Sequence, residues 1–164
     1  MHLDAMHQIS LNAIQRLAIE CHALDRSELS LGFSKTHDDR DDRTRNALRE
    51  IFSEKLLMLA IALRTKFYQG TDPTSTASYL KYTGFLEVTR RGQAAAVDMT
   101  FKDICDKIVH AEEITREYDR GHADQGILTI LKGTQQGGAP WTMGISVAAF
   151  CEAIFNWLRD QPAT

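Results

Sequence analysis

The sequence has no purely apolar run longer than the eight residues Leu56–Leu63. A helix that crosses a bilayer needs about 20 such residues, so no membrane association is expected. The first residues, Met1 to His7, lack a basic stretch followed by an apolar core, so no secretion signal is read there. Both absences point to a cytoplasmic chain. A dominant charge is missing too: 19 Lys and Arg stand against 22 Asp and Glu, with a pI near 6.1. A dedicated nucleic-acid binder would carry a basic excess that this chain does not have. Cysteine is scarce and odd in number. Cys21, Cys105 and Cys151 lie far apart beside apolar neighbours, and no pair has zinc-ligand spacing. They read as small buried side chains in a reducing compartment.

Nucleotide and nucleophile signatures are absent as well. The Gly-rich segment 133–138 has no Lys-Ser or Lys-Thr after its glycines and fails the dinucleotide fingerprint, so it reads as a hairpin connection. Trp141 after it is either an exposed contact residue or packed over the helices. No Gly-x-Ser-x-Gly elbow occurs. There is no internal repeat, and no cofactor is expected.

What is present is ordinary for a globular protein: 43% hydrophobic and 25% charged residues. The 164 residues are expected to form one domain, 1–164. Apolar residues at three- and four-residue steps (Met6, Ile9, Ala13, Leu17, Cys21, Leu24, with Ile14 at the edge) predict a helix over 6–24. Residues 27–36 read as a connection. The mixed-charge run from His37 to Arg45 reads as a solvated helical face. A long helix follows to Tyr68, stopped by Gly70, with Ala47, Leu48, Ile51, Phe52, Leu56, Leu59 and Leu63 on one face. Apolar residues all around 56–63 make it the expected central pillar, covered on every side.

Residues 84–89 have strand composition, and 94–99 supply a short return strand. Thr100 with Asp103 forms a capping box that opens a helix expected to end before Gly121. Its apolar stripe is Phe101, Ile104, Cys105 and Ile108. Glu112 falls near that stripe, which either ends the helix early or requires a cation beside it. Residues 126–132 and 141–145 read as an antiparallel pair, and Ser146 caps a last helix, 147–158. The expected fold is mainly α: a bundle of about four helices with a small antiparallel β-hairpin or sheet.

On one continuous helix Asp106, His110 and Glu113 share a face at i, i+4 and i+7. That spacing suits part of a metal site, or a histidine held protonated between carboxylates, or a plain solvated acidic face.

The segment from Ile104 to Ala111, with His110 near its end, resembles the close of the motif in HEPN-type helical bundles. The resemblance implies a small, dimeric four-helix protein. Active members of that superfamily cut RNA, using an arginine and a histidine that face a cleft at the dimer interface. In those terms His110 takes the histidine position and Asp106 the polar one. Asp103, Ile104 and Cys105 stand where the arginine would fall, so Lys107 or Arg64 would have to supply the cation. Similar spacings at Arg16 with His22 and Arg116 with His122 match what chance supplies.

The functional expectation is a self-associating protein-interaction or regulatory module, most simply a homodimer, without complete catalytic machinery. One alternative is a HEPN-like ribonuclease or toxin, with His110 as acid or base and Lys107 or Arg64 stabilising charge; RNA is a partner only in that case. A second alternative is a metal or small-molecule binder using Asp106, His110 and Glu113.

Overall fold

Strands take a larger share of this chain than its helical periodicities suggest. The computed structural model describes residues 9–30, 42–81, 83–118 and 127–162. Among them the chain runs α1 (Leu11–Ser30), α2 (Asp42–Tyr68), a 3-10 turn (Thr74–Tyr79), β1 (Gly84–Arg90), β2 (Gln93–Ala96) and α3 (Phe101–Val109). It continues through β3 (Glu113–Tyr118), β4 (Ile127–Thr134), β5 (Pro140–Ile145) and α4 (Val147–Arg159). The strands form one antiparallel sheet in the order β2-β1-β5-β4-β3. The fold is therefore α+β, and the expectation of a mainly α four-helix bundle with a small hairpin is overturned.

The sheet exceeds expectation because of β3. The sequence pattern continues the helix that begins after Thr100 into residues 113–118, yet that helix ends at Val109, with His110 as its C-cap. Ile114, Thr115 and Tyr118 favour extended backbone. Pairing with β4 satisfies the backbone groups on one side of this edge strand, from Glu113 opposite Lys132 to Tyr118 opposite Ile127. Of the two outcomes posed by Glu112, the early end is the one realised. Its Oε1 accepts from the Thr134 N–H at 3.0 Å, outside the helix.

One face of the sheet supplies Leu86, Val88, Leu131, Trp141, Met143 and Ile145 to the core. Onto that core α4 contributes Val147, Phe150, Cys151, Ala153, Ile154 and Trp157, all buried. The Ser146 hydroxyl caps α4 by accepting from the Ala149 N–H. Phe101 meets Phe150 and Trp157 edge-on, at centroid distances of 5.6 and 5.8 Å, which anchors the start of α3.

The central-pillar role belongs to α4 rather than α2. Phe52, Leu56, Leu59, Ala60, Leu63 and Phe67 bury one side of α2, but Ile51, Leu57, Met58, Ile61 and Tyr68 stay exposed. The helix stops as expected, with Gly70 at φ +104 just past it. In α1 the inward line is Ile14, Ala18, Cys21, Asp25 and Glu28, so Ile14 is central and two acids replace the expected apolar end. Helix α1 also extends through residues first read as a connection; 31–41, with His37, lie outside the described residues. Among the described residues no helix is long and apolar enough to cross a membrane.

Candidate functional site

Helix α3 is short, and its capping box determines which polar side chains it offers. The Thr100 hydroxyl accepts from the Asp103 N–H, and Asp103 Oδ2 accepts from the Thr100 N–H at 2.8 Å. With Phe101, Ile104, Cys105 and Ile108 turned inward, Lys102, Asp106, Lys107 and His110 fall along the outer side.

Asp106 is bracketed by cations. Its Oδ1 lies 2.7 Å from Arg64 Nε of α2, and its Oδ2 lies 2.7 Å from Lys102 Nζ. The Tyr68 ring sits 5.5 Å from both the Arg64 guanidinium carbon and the Lys102 ammonium. The hydrogen bond to Asp106 raises the Lys102 pKa above its ordinary value. This clamp joins α2 to α3 and neutralises the Asp106 carboxylate.

Lys107 is placed differently. Its ammonium lies 4.5 Å from the centroid of the Trp141 ring, and removal from water lowers its pKa against the opposing pull of Asp103 and Asp106. Trp141 is packed, the second of the two expectations for it. The ring crosses Gly133 on the neighbouring strand, where an added Cβ would fall 2.5 Å from Trp141 Cζ2. Only glycine leaves that room.

Two grooves meet at Lys107. One, of about 610 Å³, is bordered by Asp106, Lys107, His110, Glu112, Gln136 and Trp141. The other, of about 470 Å³, runs between α3 and the inner side of β1 and β2 over Leu86, Val88 and Ala95. Asp106, Lys107 and Gln135 border both.

The structure thus brings Asp106, Lys107 and His110 together, and joins Arg64 to them through Asp106. It does not bring Glu113. That residue stands on β3, opposite Lys132, with its Oε1 3.5 Å from Lys132 Nζ. The helix face proposed for Asp106, His110 and Glu113 is not formed, because the helix ends first. Among the described residues no group of three His, Cys, Asp or Glu side chains is arranged to hold a metal ion. His122 lies outside the described residues.

A buried cluster on β3 and α1 is not among the residues that the sequence pattern singles out. Arg116 of β3 places Nη1 2.8 Å from Asp25 Oδ1 and Nη2 2.8 Å from Glu28 Oε2, all three side chains being buried. Its Nη1 also donates to Thr129 Oγ1 at 3.0 Å, and its guanidinium lies 4.0 Å from the Phe52 ring centroid. Asp25 Oδ2 accepts from the Ala148 N–H in the first turn of α4, where the helix dipole favours a carboxylate. The signal was available: Asp25 and Glu28 extend the Ile14–Ala18–Cys21 line at the same spacing, and acids on an inward line require a buried cation.

The three cysteines are free and buried, as expected, and burial pushes the Cys21 thiol up to about 12. Cys105 and Cys151 are raised further for the same reason. No protein-family model matches the chain, and neither a curated protein nor a solved structure matches it.

Proposed function

We propose that this protein is a cytoplasmic self-associating module whose contact surface is the open side of α2. The observation that carries this reading is a stripe of exposed side chains, Ile51 (47%), Met58 (44%), Ile61 (49%) and Tyr68 (65%), with Leu57 on its flank. Scattered exposed apolar residues need no explanation, but four on one line of a helix, interrupted only by Glu54 and Thr65, fit a contact surface.

The spacing supports a second copy as the occupant. Ile51, Glu54, Met58, Ile61, Thr65 and Tyr68 follow one another at steps of three and four, the repeat of a coiled-coil seam. The order is also palindromic in character. Laid antiparallel against itself, α2 sets Met58 against Ile61 of the second copy, Glu54 against Thr65 and Ile51 against Tyr68. An isologous two-fold contact needs that self-complementarity.

Magnitudes make the dimer a concentration-dependent one. Completing the burial of a half-exposed apolar side chain yields about 1 kcal/mol. Five such chains per copy give on the order of 10 kcal/mol, comparable with the roughly 4–15 kcal/mol lost on association.

Light scattering coupled to size-exclusion chromatography is the test. Wild type is expected to approach twice the chain mass of 18.5 kDa as concentration rises. The double substitution Met58→Glu, Ile61→Glu should hold it at one chain mass with unchanged circular dichroism. A wild-type chain that stays monomeric at high concentration overturns the reading.

A further inference from the structure

The groove between α3 and the β1–β2 edge is lined by no residue of α2, so it is separate from the open side of that helix. Its charges do not balance locally. Of the two acids that border it, Asp103 accepts only from the uncharged groups of the capping box and keeps its charge, whereas Asp106 is held by two cations, Arg64 and Lys102. Of its two cations, Lys107 faces the Trp141 ring and Arg90 stands at the end of β1. Among the described residues neither cation is in an ion pair with a carboxylate. With Arg64 and Lys102 counted, four cations stand against two acids around the groove, an excess of positive charge.

Its floor is apolar. Leu86 and Val88 lie beneath, nearly sealed from solvent, and Ala95 and the half-exposed Val97 form the side toward β2. The volume of about 470 Å³ is in the range that holds small organic ligands. An inorganic anion would leave the exposed apolar side formed by Ala95 and Val97 uncovered, and a cation would meet Lys107 and Arg90.

We infer that this groove binds a small carboxylate with an aliphatic body: the carboxylate on Lys107, the chain along Ala95 and Val97. A partly desolvated ammonium gains more from a carboxylate than a solvated one does, because less water has to be displaced. The Trp141 ring borders the neighbouring groove, 4.5 Å from the Lys107 ammonium, and would sense the ligand through Lys107.

The probe is octanoate, with acetate (head only) and octylammonium (body with opposite charge) as comparisons. Titrations of the full chain are read by the two indole N–H cross-peaks in heteronuclear NMR spectra. Octanoate is expected to shift Trp141 saturably, with a dissociation constant on the order of 1 mM or tighter, while Trp157 in the core stays still. Acetate and octylammonium should be weaker by about tenfold or more, and Lys107→Met should weaken octanoate by a similar factor. Arg90→Gln, an exposed change that leaves the Trp141 packing untouched, should weaken it severalfold and serves if Lys107→Met fails to fold. Lys132→Met, outside the groove, should change nothing. Equal binding of octanoate and octylammonium overturns the inference, as does no saturable shift or undiminished binding in Arg90→Gln and in a folded Lys107→Met.

Discussion

Arg116 Nη1 lies 2.8 Å from Asp25 Oδ1, with both side chains sealed from solvent between α1, the sheet and the start of α4. A guanidinium shared by two carboxylates ties the end of α1 to an edge strand that has few other anchors. Its removal strands two buried negative charges. Arg116→Met is expected to destabilise the protein by about 3–5 kcal/mol, measured by urea unfolding. Arg116→Lys should recover little, since an ammonium cannot reproduce the fork that reaches Asp25, Glu28 and Thr129 together. The triple change Asp25→Asn, Glu28→Gln, Arg116→Met should recover much of the loss; a single Arg116→Met as stable as wild type would contradict this account.

The same cluster predicts a pH dependence. Burial raises the Asp25 carboxyl above its ordinary 3.8, against the opposing effects of Arg116 and the Ala148 N–H. The native state therefore takes up this proton before the unfolded chain as pH falls. The linked stabilisation is complete below 3.8 and is lost as pH rises through the raised native value. Wild type should thus gain on Asp25→Asn as pH drops from neutral toward about 4. Urea midpoints of the two proteins across that window check the sign, and a constant gap would refute it.

Gly133 offers a local test of the Lys107 and Trp141 arrangement. A methyl group there meets the indole at 2.5 and 2.8 Å and the His110 carbonyl at 3.0 Å, so something must move. Gly133→Ala is expected to cost about 1–3 kcal/mol from overpacking, and to shift tryptophan emission as Trp141 tilts away. Melting temperature and fluorescence on one sample read both effects. A neutral substitution with unchanged emission would mean that the ring is free to slide.

These contacts also show where the sequence was legible. Local signals are enough for the Thr100 capping box, the Ser146 cap, the Gly70 stop and the strands expected at 84–89, 126–132 and 141–145, found at 84–90, 127–134 and 140–145, because each is set within a few residues. Helix α3 was read too long because residues 112–117 carry three glutamates, which resemble a solvated helix face. Their extended state is decided by pairing with β4, across a separation that local periodicity does not see. The inward turn of Asp25 and Glu28 depends on Arg116, some 88 residues beyond Glu28. The candidate site was half legible for the same reason. Asp106, Lys107 and His110 share α3 and its cap, whereas Trp141, Arg90 and the grooves arise only once the sheet is assembled.

The antiparallel pairing of α2 can be separated from any other mode of association by mixed cross-linking. Cys21, Cys105 and Cys151 are buried with raised thiol pKa values, so cysteines introduced on the surface react alone in the folded protein. In an antiparallel pair Ile51 of one copy meets Tyr68 of the other, some five turns away on the same helix. Ile51→Cys and Tyr68→Cys chains, prepared separately with different tags and mixed under mild oxidation, should form the mixed disulfide in preference to either like pair. A parallel seam reverses that result, because each position would then face its own copy. Association through the sheet edges or the α3 grooves would leave all three products at background. The two engineered cysteines thus distinguish which face pairs from which direction it runs.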